Sequence, residues 1–107
     1  TGAEATLSAA HRSRDGNMHG HTWTIRAWWT DEPDAVERQA ELRDYLKAFD
    51  HSVLDDGIAW GESLGRTILI GLECVKVEVM RPAEGLFAVV EAAWFVAAII
   101  IIVPFLR

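Results

Sequence analysis

Three histidines with the pattern H-x7-H-G-H open the case for chemistry: His11, His19 and His21. His19 and His21 are one residue apart, and in an extended strand that spacing turns both imidazoles to the same face. His11, at the end of the preceding extended segment, can approach the pair from an antiparallel neighbour. That gives three nitrogens and leaves one position of a tetrahedral ion open, an arrangement suited to catalysis or substrate binding. The ligand type predicts zinc, although imidazole serves several divalent ions. Gly20 sits between two of the ligands, where a side chain would crowd the site. Polar loop histidines are the competing reading, and spacing alone leaves both standing.

Elements that would position these residues follow from periodicity. Ala5–His11 and Thr22–Thr30 read as adjacent antiparallel strands, the second rich in β-branched and aromatic residues. Asp31, Pro33 and Asp34 form a turn and helix start, and Val36, Leu42, Leu46 and Phe49 predict an amphipathic helix over 35–49. Leu64, Ile68 and Leu72 predict a second helix over 62–72, weakened by Gly65 and Gly71. Val75, Val77 and Val79 alternate with charged residues as in a half-buried strand, and a turn at Pro82–Gly85 leads into a strand over Leu86–Glu91. The order strand, strand, helix, helix, strand, strand predicts an α+β fold: an antiparallel four-stranded sheet with two helices on one face.

Composition bounds the partners. A formal charge of −6, with ten basic residues scattered among sixteen acidic ones, argues against nucleic acid. A single cysteine, Cys74, excludes an intramolecular disulfide, so the default compartment is the cytoplasm; no signal-peptide pattern is evident. One domain over residues 1–91 is expected, followed by an apolar C-terminal tail over 92–107. Ala92–Leu106 is uncharged for fifteen residues, short of the ~20 that cross a bilayer as a helix, so a buried strand or subunit contact is favoured over a membrane span. A chain of 107 residues leaves much of its surface in water unless it associates with copies of itself.

Four motifs together resemble the 6-pyruvoyl-tetrahydropterin synthase and 6-carboxy-tetrahydropterin synthase family. Leu7-Ser8-Ala9-Ala10-His11 is similar to its F-x-A-A-H, and His19-Gly20-His21-Thr22-Trp23 to its H-G-H-x-Y/W. Phe49-Asp50-His51-Ser52-Val53-Leu54-Asp55 is similar to L-D-H-x-x-L-N, and Glu62-Ser63-Leu64-Gly65-Arg66-Thr67-Ile68 to E-N-L-A-x-x-I. The resemblance runs from about Ala5 to Glu91 and takes in all four histidines. It implies a T-fold, whose subunits join through their sheets into a trimeric barrel, giving a homotrimer or homohexamer with sites between subunits. It also implies zinc on His11, His19 and His21, a pterin-type substrate, and proton transfer by the matched pair Asp50 and His51.

Two positions depart from the family pattern. The family's catalytic cysteine falls on Asp15, which is either a replacement base or a turn residue in Asp15-Gly16-Asn17. The carboxylate that anchors the pterin ring falls on Val79 or Arg81, neither of which accepts the paired hydrogen bonds of an aminopyrimidinone. Glu78 and Glu84 are the neighbouring carboxylates that a one-residue slip or a different turn length would bring into that role; otherwise they are exposed strand and turn glutamates. Trp23, Trp28, Trp29 and Trp60 offer faces for a flat heterocycle or, as strand aromatics usually do, build the core or a subunit contact.

Overall fold

The computed structural model describes residues 1–12, 16–30, 34–54 and 61–93. Expectations for Asp15, Asp31, Pro33, Asp55, Trp60 and the tail beyond Ala93 lie outside these. The described elements run β1 (Gly2–Arg12), β2 (Met18–Trp28), α1 (Ala35–Leu46), α2 (Gly61–Leu72), β3 (Lys76–Arg81), a 3-10 turn (Pro82–Glu84) and β4 (Leu86–Glu91). The sheet has the order β1-β2-β3-β4 and is antiparallel throughout. Both helices pack on one face, as the alternation of apolar residues requires.

Odd-numbered residues of β1, β2 and β3 supply that face. Leu7, Trp23, Ile25 and Val77 are fully buried there against Leu42 of α1 and Leu64 and Ile68 of α2. The opposite face carries polar side chains, including a cross-strand charge ladder in which Arg26 lies 2.7 Å from Glu4 and 3.9 Å from Glu78.

β2 begins at Met18, four residues earlier than the strand expected from Thr22, and ends at Trp28. Backbone pairing explains the shift. β1 stays extended to Arg12, and its free amides and carbonyls are met by Met18–His21 rather than by a loop. α1 starts as expected, with the Asp34 carboxylate accepting from the Val36 amide at 2.9 Å, but stops at Leu46 rather than Phe49. Residues 47–50 turn instead, and Val36, though on the apolar spacing, is 71% exposed.

The glycines that weaken α2 in isolation are what lets it dock. A Cβ on Gly65 would stand 2.9 Å from Val90 Cγ2 and 3.4 Å from Val79 Cγ2, so the helix backbone rests on the sheet. A side chain at Gly71 would run into Tyr45, whose hydroxyl donates to the Thr67 carbonyl at 3.2 Å and ties the helices together. Gly65→Leu is therefore expected to destabilise the fold by ~1–3 kcal/mol through overpacking. Urea unfolding reads this as a lower midpoint at constant slope, and an unchanged midpoint would show that the helix can lift off the sheet at no cost.

Candidate metal centre

The strand pairing that lengthens β2 also builds the site. His11 stands directly across the ladder from His19, and Ala9 across from His21, so the three imidazoles share the helix-facing side at the end of the β1–β2 hairpin. Their ring centroids are 4.4, 5.0 and 4.6 Å apart, and one ligand atom from each lies within 4.8 Å of the others. Such a group could hold a metal ion. His11 is 4% exposed, and the Trp23 ring packs beside His21 with centroids 5.5 Å apart.

The outer contacts of two rings fit metal binding. The His11 Nδ1–H can donate to the Arg12 carbonyl at 3.1 Å, and the His21 Nδ1–H to Glu84 Oε1 at 3.2 Å, which leaves Nε2 of each as the ligating atom. His21 Nε2 is buried and has no hydrogen-bond partner among the described residues, the condition a bound cation would relieve. Gly20 does not act as a spacer between the ligands: a Cβ there would meet only the Ala9 carbonyl, at an ordinary 3.6 Å.

The pKa of His21 lies below its ordinary 6.5, first because burial disfavours the charged ring and then because the Arg81 guanidinium lies beside it; Glu84 opposes the shift. An imidazole held neutral is the form that binds metal. The metal-free protein should thus show His21 titrating below 6.5 by NMR, lower still in Glu84→Gln, where the opposing carboxylate charge is gone. For stability the sign follows: as pH falls through 6.5 the unfolded chain takes up this proton before the folded one, so the metal-free fold loses stability as pH drops toward the folded value. A His21 midpoint above 6.5 would contradict the buried placement.

His51 reaches the same end of the sheet by a different route. After α1 the chain turns and runs along the outer edge of β1, where the Ala10 amide donates to the Ser52 carbonyl at 2.9 Å and the Leu54 amide to the Ala10 carbonyl at 2.7 Å. The Asp50 carboxylate accepts from the Ser8 amide at 2.9 Å and lies 2.8 Å from His51 Nδ1. These contacts, the Ser8 amide foremost, hold the Asp50 carboxyl below its usual range. His51 adopts a left-handed backbone (φ 56°), a costly conformation for a residue with a side chain, and its own side chain is 83% exposed. It lines a hollow of about 590 Å³ together with Ser8, Ala10, Gly20, His21, Thr22 and Glu84.

The remaining candidates separate. Glu84 joins the centre through His21 and Arg81, and its carboxyl is held low chiefly by the Arg81 hydrogen bond. Glu78 stands on the opposite face of the sheet, 3.9 Å from both Arg26 and Lys76. Trp23 and Trp29 are core residues, and Lys76 lies over the ring of Trp28. Cys74 is buried, with its thiol pushed up to about 11 by desolvation, and is unsuited to replace a catalytic thiolate. Arg81, which the sequence placed at one register of the anchor position and left without a role, joins the site: its Nη2 lies 2.9 Å from His21 Nδ1 and 3.2 Å from Glu84 Oε1. The signal was its odd register in β3, which continues the face of Val77 and Val79 toward the histidines.

No family model matches the chain, and no curated protein matches it. Fold and site define its class as an α+β protein with a four-stranded antiparallel sheet, two helices and a histidine triad able to hold a metal ion. Among the described residues no helix is long and apolar enough to cross a membrane.

Proposed function

We propose that the protein is a zinc-dependent, lyase-type enzyme that acts on a pterin or a related heterocycle, through a divergent version of the 6-pyruvoyl-tetrahydropterin synthase site. The observation that carries this reading is the convergence of two independent constellations: the His11, His19, His21 cluster, and His51, paired with Asp50, on the same hollow as His21. An all-imidazole set with a position to spare suits zinc, which when bound supplies a Lewis acid for an oxygen substituent of the substrate.

The protein's own groups supply the rest. His51 takes or returns a proton at Nε2, while Asp50 fixes the ring through Nδ1 and stabilises its charged form. Gly20 and Ala10 bring little side chain to the lining of the hollow, which leaves room for a flat ring. Glu84 orients His21, while Glu78, across the sheet, pairs with Arg26 and Lys76 away from the histidines. The T-fold resemblance supports a homotrimer or a homohexamer, and light scattering at micromolar concentration should return a multiple of three chains; a monomer would count against it.

A second reading keeps fold and metal and drops the reaction, leaving a binding or repurposed protein. Arg81 against His21 favours it, because a cation ends β3 at one of the two positions on which the resemblance puts the anchoring carboxylate. Incubating the protein with dihydroneopterin triphosphate, with and without a chelator, and following phosphate and pterin products separates the two. Chelator-sensitive product, however slow, supports the enzyme; bound zinc with no turnover supports the second reading.

A further inference from the structure

Arg81 and Glu84 both approach one atom, His21 Nδ1, and a ring nitrogen has only one in-plane position: it donates through N–H or accepts through its lone pair. The two contacts are therefore alternatives. With a metal on Nε2 the proton sits on Nδ1 and points to Glu84, and the Arg81 Nη2–H loses the ring as an acceptor. The guanidinium keeps Glu84 Oε1, but its Nε is already buried without a partner among the described residues, and its side chain is only 23% exposed. A charged, mostly buried donor group short of acceptors is costly.

The acceptor has an evident place. Arg81 also lines a second hollow, of about 550 Å³, bordered by Trp23, Phe87 and the first turn of α2 with Ser63. Helix N-termini favour negative charge, and Glu62, the acidic residue of that turn, is paired with Arg66 at 3.7 Å. We propose that the metal-loaded centre binds a small oxyanion, a carboxylate or a phosphate group of its ligand, through Arg81, with Glu84 holding both the guanidinium and His21 in place. This rests on the three-histidine metal reading and deepens it by naming what the ligand must carry. In a chain of net charge −6, such a site depends on Arg81 and the bound cation for its attraction.

Cobalt(II)-loaded protein tests this by its visible bands. Titration with lactate and, separately, with inorganic phosphate should shift the bands saturably, and whichever probe saturates at lower concentration identifies the source of the oxyanion. Arg81→Met should weaken that binding ~10–100-fold while leaving the anion-free cobalt bands in place, and Arg81→Lys should recover part of it. Equal anion affinity in Arg81→Met, or no saturable shift with either probe in the wild-type protein, overturns the proposal and leaves the metal centre standing. Failure of the wild-type protein to give cobalt bands overturns both.

Discussion

Purified protein is expected to carry about one zinc per chain after dialysis, and the His19→Ala, His21→Ala double variant to carry none. The size of the effect follows from what is removed. Loss of an outer contact, such as Glu84 to His21, typically costs ~10–100-fold in metal affinity, because the ligand remains and only its orientation suffers. Loss of two of three nitrogens leaves His11 alone at the hairpin end, and one neutral imidazole does not hold zinc against dialysis. The variant should still fold, since Leu7, Ile25, Leu42, Leu64 and Ile68 pack together without either ring, and only Trp23 loses a neighbour in His21. Metal analysis by mass spectrometry, with circular dichroism as the folding control, reads both. Full occupancy in the double variant would sink the assignment.

The second large effect is a deficit. Turnover of dihydroneopterin triphosphate is expected to fall ~10²–10⁴-fold below that of a cysteine-containing 6-pyruvoyl-tetrahydropterin synthase assayed alongside, even with zinc fully loaded. A carboxylate such as Asp15, with an unperturbed pKa of about 4, is a far weaker base than a thiolate. Cys74 offers no rescue, being buried with its thiol at about 11. Substrate placement adds to the loss, because β3 ends on Arg81 and Glu78 faces the other side of the sheet. Asp15→Cys separates the causes. A large gain in turnover would locate the defect in the base, whereas no gain would locate it in the anchoring of the heterocycle. Turnover equal to that of the cysteine-containing synthase would show that Asp15 had been misjudged.

Much of this architecture was legible from alternation and spacing. Val75, Val77 and Val79 marked the face of β3, and Leu64, Ile68 and Leu72 marked the buried stripe of α2, because burial imposes a period that composition cannot hide. The His-x-His spacing likewise announced one shared face. What escaped were features set by partners distant in sequence. The start of β2 depended on how far β1 stays extended, and the end of α1 on a chain that must turn to place Asp50 under the Ser8 amide. Gly65 and Gly71 read as helix weakeners because their worth lies in Val90 and Tyr45, which local propensity does not see. Arg81 stood at one register of the anchor position with no role to fill, and only the pairing of β2 and β3 brings it to His21, sixty residues away in the chain.

All three histidines sit on a single hairpin, within eleven positions of one another in sequence, whereas Asp50, His51, Arg81 and Glu84 arrive from later in the chain. Closing a short loop costs little chain entropy and is fast, while long-range pairings come later. The consequence is an order of assembly: the half that carries the three histidines can close with the first two strands, and the groups that would handle protons and anions are added to it as the helices and β3 dock. Metal supplied during synthesis would then act on a nascent hairpin, fixing its register before the rest of the sheet exists to enforce it.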